Sequence, residues 1–161
     1  MSALATPDAV AKETGARVPL VPPPLYFGVT FGAGMALQTA RAFALHVPAA
    51  PATVVLVAGI GLAALAAIGV ARAGTTIVPH HAVSVLLTTG AFRVSRNPMY
   101  AGIAIAYVGG ALLTGSWWPL ILLPLPLAAI HFLVIAREER YLTEKFPVPY
   151  AAYRARTRRW L

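Results

Sequence analysis

The chain contains no cysteine, and only five of its 161 residues are acidic. The first absence removes disulfides, thiolate metal sites and a cysteine nucleophile from consideration. The second belongs to a general poverty of charge. Asp, Glu, Lys and Arg together make up 11% of the chain, against roughly 25% in an ordinary water-soluble domain. Apolar residues take their place. Hydrophobic residues reach 58% and the mean hydropathy is +0.71, the composition of an integral membrane protein. Basic residues outnumber acidic ones, for a net charge of +8. They gather beside apolar runs and carry no nucleic-acid-binding signature, so the expected partner is an anionic lipid leaflet and not nucleic acid.

Hydropathy divides the chain into three parts. Residues 1–24 are polar and proline-rich and lack the basic start and apolar core of a signal peptide, so they read as a flexible tail. Residues 25–136 hold four apolar runs, each near the ~20 residues that cross a hydrocarbon layer. These runs are Leu25 to Val47, Pro51 to Ala71, Pro98 to Thr114 and Trp117 to Ala136, with a polar connection over 72–97. Residues 137–161 form a basic and aromatic C-terminal segment. The fold class expected is therefore all-α, a four-helix transmembrane bundle with a helical segment capping one end.

Loop charges orient the bundle. HVPAAPA and TGS carry no Lys or Arg, whereas the middle connection holds Arg72, Arg93 and Arg96 and the C-terminal segment holds seven basic residues from Arg137 to Arg159. The positive-inside rule puts those basic parts and both termini in the cytoplasm, in a multi-pass protein of the cytoplasmic membrane if the source is prokaryotic. Trp117 and Trp118 fit the opposite interfacial belt. Arg41 reads as a side chain snorkelling to that same surface. Gly28, Gly32, Ala36 and Ala40 repeat every four residues, as do Gly102, Ala106 and Gly110. That spacing serves close packing within the bundle and assembly into a homo-oligomer equally well. Pro124 and Pro126 cannot both leave a helix undisturbed, so a kink or loosened turn is expected in the fourth run.

Two polar clusters interrupt this pattern. In SRNPMYAG, Asn97 is a good N-cap and Pro98 suits the first helical position. Such a helix start offers free N–H groups and the positive end of a dipole, and Arg93 and Arg96 add charge beside it, so it suits a carboxylate or phosphate. The plain alternative is a capped helix whose arginines hold lipid phosphate. The second cluster, AREERYLTEKFPVPYAAYRARTRRWL, continues the last helix and starts a second amphipathic one after the prolines. Glu138 and Glu139 lie about 100° apart on a helix, so one of them can point squarely into a given pocket. Arg140 and Glu144 are spaced to pair.

Together, TTGAFRVSRNPMYAG and REERYLTEKFPVPYAAYRARTRRW, separated by a hydrophobic hairpin, resemble the isoprenylcysteine carboxyl methyltransferase family and its relatives among the phospholipid N-methyltransferases, over Arg72 to Trp160. The resemblance implies a membrane methyltransferase that uses S-adenosylmethionine and releases S-adenosylhomocysteine. Its implied cofactor residues are Gly90, Arg96, Asn97, Pro98, Tyr100 and Gly102 from the helix entry, with Glu138, Glu139, Tyr150 and Tyr153 from the C-terminal segment. Asn97 stands where the carboxyl methyltransferases usually have histidine, and Pro147 where the family has glycine.

The chemistry of the donor fits those residue types. Its carboxylate suits the Asn97–Pro98 helix start, a glutamate can accept from its ribose or amino group, and the face of Tyr100 favours a sulfonium by about 0.5–2 kcal/mol. Transfer needs alignment more than acid–base machinery, so no single catalytic base follows; Arg137 or Arg140 can orient an anionic acceptor, and His81 or a glutamate can take an amine's proton. The acceptor, whether prenylated, lipid or small lipophile, is expected from the bilayer. His46, His80, His81 and His131 show no converging ligand spacing, so no metal is expected. Two other readings stand beside this one: an NADPH-dependent enzyme like the sterol reductases, and a noncatalytic membrane subunit.

Overall fold

In a computed structural model the chain is described over residues 21–74 and 85–161, and every regular element there is helical. The expected tail over 1–20, and His80 and His81, lie outside the described residues. Helix α1 spans Pro23–Ala40 and α2 spans Ala49–Arg72; a 3-10 turn at Gly90–Arg93 leads into α3, Pro98–Leu113. The last long helix is continuous from Trp117 to Lys145. It comprises α4 (Trp117–Leu122), α5 (Pro124–Ala129), a π-helical stretch (Ile130–Ile135) and α6 (Ala136–Lys145). A final helix, α7, spans Pro147–Arg156.

Two helices are long and apolar enough to cross a membrane, Ala49–Arg72 and Trp117–Lys145. Helix α3 is as apolar but has 16 residues, about 24 Å of rise against a hydrocarbon core of ~30 Å. The first apolar run, expected as far as Val47, is helical only to Ala40. Polar and small residues thin its hydropathy.

The main packing contact joins α2 to α3. Glycine makes it close. A Cβ on Gly102 would sit 2.5 Å from the Ala63 backbone nitrogen, one on Gly59 would strike Ala106, and one on Gly109 would strike Leu56. The 102/106 half of the predicted repeat is therefore at work, with Gly109 in the place expected of Gly110. Gly28 and Gly32 meet nothing within 4 Å. On the other side of α3, Tyr107 is buried, donates to the Pro119 carbonyl at 2.9 Å, and packs edge-on against Phe27 and Phe31 of α1. One tyrosine thus ties α1, α3 and α4 together.

The end of the bundle at the Trp pair is closed by polar contacts. Gln38 Oε1 accepts from the Phe43 N–H at 2.9 Å and from Ser116 Oγ at 3.0 Å. Trp118 Nε1 donates to the Arg41 carbonyl at 2.7 Å. Arg41 is exposed at the C-cap of α1, where a cation meets the negative end of the dipole. The proline pair loosens the last helix as expected. Leu123 forms a turn between α4 and α5, and the helix then widens so that the Ala136 N–H bonds back to His131, five residues earlier, which is the π pattern.

Candidate functional site

The opposite end carries nearly all the polar chemistry, because α3 begins there, α6 emerges there and α7 folds back over both. Pro147 takes the first position of α7, and Phe146 caps both α6 and α7, accepting from the Tyr150 N–H at 2.9 Å. The proline that departs from the family pattern therefore starts a helix, a place where its missing N–H costs nothing.

Helix α7 is bolted down by two buried tyrosines. The Tyr153 hydroxyl donates to the Phe92 carbonyl at 2.6 Å and lies 3.3 Å from that of Ser95. Burial pushes this hydroxyl up to about 12, so it stays a donor. Tyr150 is also buried, and burial together with the charge of Glu139 moves its hydroxyl upward. Past α7 the chain pairs with the entry to α3. The Arg96 N–H donates to the Arg158 carbonyl at 2.8 Å, and the Arg159 carbonyl accepts from Asn97 Nδ2 at 2.9 Å and Ser95 Oγ at 3.3 Å.

This last contact corrects one expectation. Asn97 occupies the N-cap position but its side chain makes no cap bond; the amide is spent across the chain on Arg159. The Asn97 N–H is met instead by Ser95 Oγ at 3.0 Å. Likewise no ion pair within 4.0 Å joins Arg140 and Glu144, both of them exposed.

The two glutamates have different surroundings. Glu139 is buried and sits between two arginines: Arg96 Nη1 at 3.1 Å from Oε1, and Arg159, whose Nε and Nη2 reach Oε1 and Oε2 at 3.1 and 2.6 Å. Two cations converge on one carboxylate. Of its roughly four acceptor positions, three are taken. Glu138 is half-buried and accepts at 3.2 Å from the Tyr100 hydroxyl. Arg96 is nearly enclosed, with 11% of its side chain accessible, yet its Nε and Nη1 have no aligned acceptor. Guanidinium donors left so are costly unless an anion meets them.

Arg96, Asn97, Pro98, Tyr100, Glu138, Glu139, Tyr150 and Tyr153 are thus brought to one end of the bundle and linked through these contacts. Two candidates fall elsewhere. Gly102 faces α2, where it permits helix contact, and Gly90 is an exposed turn residue with φ of +61°, a conformation that favours glycine. Arg137 and Arg140 are exposed on α6. Among the described residues no group of acidic or histidine side chains is placed to hold a metal ion.

Beside this cluster runs an open apolar groove of ≈ 510 Å³ between α3 and the α5–π segment. Ala101, Ala104 and Ile105 of α3 line it on one side, Leu127, Ala128, His131 and Phe132 of the last helix on the other, together with Trp160 and Leu161. Arg159 joins groove and cluster, with its Nη1 3.4 Å from His131 Nε2. In the sequence Arg159 and Trp160 belong to a basic and aromatic C-terminal segment, and nothing in their spacing shows that the chain turns back toward α3.

A family model described as phospholipid methyltransferase matches residues 48–148. That stretch includes α2, the helix entry and both glutamates. No curated protein and no solved structure matches the chain.

Proposed function

The chain belongs to the phospholipid methyltransferase family, and from that premise we propose that it is an S-adenosylmethionine-dependent enzyme of the membrane, acting on a lipophilic acceptor. The observation that carries the reading is that the start of α3 and the acidic pair of α6 are joined twice, Arg96 to Glu139 and Tyr100 to Glu138. The residues fit the donor group by group. Arg96 has two enclosed donors without an aligned acceptor, suited to the methionyl carboxylate. Glu138 can accept from the amino group or ribose, oriented by the hydroxyl of Tyr100; the Tyr100 ring, expected to face the sulfonium, is instead buried in the core.

When bound, the cofactor supplies an electrophilic methyl group. The work of the chain is to align and to exclude water. Tyr100 and Glu138 hold each other in place by one hydrogen bond, so neither needs to reorganise as charge disappears. The segment 146–160 covers the site. For an acceptor that is already anionic no proton moves; for an amine, one must leave, and His131 in the groove is then the nearest imidazole among the described residues. Two further features belong to this reading: four crossings of the bilayer with both termini in the cytoplasm, and Arg154, Arg156 and Arg158 against an anionic leaflet at ~1 kcal/mol each.

Calorimetry in detergent tests it. The protein should bind S-adenosylhomocysteine, and Glu138→Ala should weaken binding by about tenfold, the loss of one hydrogen bond to a charged group. Binding of NADPH in its place would favour a reductase, and binding of neither would favour a noncatalytic subunit.

A further inference from the structure

The donor site is shut in this conformation. Arg96 Nε and Nη1, the donors assigned to the methionyl carboxylate, are sealed from solvent as well as without an aligned acceptor. A ligand that meets them needs something above them to move. Among the described residues, α6 closes on Arg96 through Glu139, α7 through Tyr150, and residues 157–161 through the Arg158 carbonyl. Helix α6 is continuous with the last long helix, and α7 is bolted by the buried Tyr150 and by Tyr153, whose hydroxyl reaches two carbonyls. Residues 157–161 are committed less. They leave α7 at Thr157 in extended backbone, with φ of −127° and ψ of 132°, and form no helix of their own. Their carbonyls accept from Arg96, Asn97 and Ser95, Arg159 pairs with Glu139, and Trp160 rests on the core. Arg158 and Leu161 are exposed. Local opening draws on segments held in this way, while the elements beneath stay folded.

The same strap belongs to the groove, because Trp160 and Leu161, directly after Arg159, line it. From this juxtaposition we propose that residues 157–161 are a gate hinged at Thr157, which lifts to admit the donor and which closes the donor site and the groove together. Trp160 is its latch, a groove residue that sets the rate of donor exchange. The inference rests on the donor reading above and adds an order of events to it: the donor enters with the strap raised, and whatever packs on Trp160 in the groove then holds it in. Lifting the strap breaks the same carbonyl bonds and exposes the same indole whether or not the donor is bound. The strength of the latch therefore governs entry and exit alike and leaves their ratio unchanged.

Radiolabelled S-adenosylhomocysteine, added to and chased from detergent-solubilised protein, gives the two rates. Trp160→Ala should raise association and dissociation together by about tenfold, the loss of a half-buried aromatic contact, with the affinity held. A disulfide should do the reverse. Ser95 and Arg158 are a bridge pair on parallel backbones; such backbones lie about 4.8 Å apart, inside the ~4.4–6.8 Å between Cα atoms that a disulfide spans, and the chain has no cysteine to compete. In Ser95→Cys with Arg158→Cys, oxidation should slow both rates by about tenfold or more, and reduction of the same sample should restore them. Amide hydrogen exchange reads the gate without ligand. The Arg96 N–H, bonded to the strap, should exchange ahead of the Thr157 N–H, which is bonded at 3.1 Å to the Tyr153 carbonyl of α7. Rates indifferent to the disulfide, an effect of Trp160→Ala on dissociation alone, or exchange of the two amides in step would each overturn the proposal. Wild-type protein that binds no S-adenosylhomocysteine defeats the donor reading, and the exchange measurement then decides alone whether the strap opens apart from α7.

Discussion

At the scale of single residues, Glu139 bears structural load that Glu138 does not. Removing it leaves Arg96 enclosed with no counter-charge, a change that costs about 3–5 kcal/mol for a fully buried pair and less here because Arg159 is partly in water. Glu139→Ala is therefore expected to lower stability by about 2–3 kcal/mol in denaturant titrations, whereas Glu138→Ala should lose ligand affinity with a much smaller change in the unfolding midpoint. Tyr153 sets a second expectation. Its hydroxyl is raised from 10.0 to about 12 by burial, so the unfolded chain gives up this proton first. The stabilisation is complete below about pH 10 and is lost as pH climbs toward 12. Tyr153→Phe should cost about 1 kcal/mol at neutral pH and flatten that alkaline decline. The helix-entry and C-terminal clusters were legible in the sequence because polar residues stand out beside apolar runs. The division of labour between the two glutamates was not: neighbours on a helix look alike until the chain that folds back over them is known.

At the scale of elements, the α2–α3 contact depends on bare backbone. Gly102→Ala places a methyl against Ala63, and relief requires the two helices to separate; a loss of about 1–3 kcal/mol is expected. Gly28→Ala, whose new atom meets nothing within 4 Å, should be neutral within ±0.5 kcal/mol. Thermal unfolding of the two variants in one detergent makes the comparison. The start of α3 at Pro98 was readable from hydropathy and proline placement, whereas α7 begins at Pro147 and takes in both prolines, where the helix was expected only after them. The small-residue repeats were not readable as to partner, since Gly28, Gly32 and Gly102 satisfy one spacing rule yet only Gly102 meets a neighbouring helix. Asn97 failed differently: its side chain had a local option and a distant one, and the distant carbonyl of Arg159 won.

At the scale of the whole molecule, the polar cluster and the Trp pair lie at opposite ends of the bundle, which face opposite sides of the bilayer in the topology proposed from the loop charges. A chain without cysteine is suited to testing this. Ala50→Cys and Arg154→Cys, both at exposed positions, should react with an impermeant thiol reagent from opposite faces of sealed vesicles; labelling of both from one face would contradict the proposed topology. The last long helix runs from one end to the other, and the wide turn at Ile130–Ile135 lies between them. Each residue of an ordinary helix advances the angular setting by about 100°. A stretch wound as this one is absorbs one additional residue without adding its rotation, so it works as a phase adjuster. Deleting one residue from the stretch would let the coil tighten into an ordinary helix while the acidic pair keeps its bearing; inserting one more would turn that pair by about 100°.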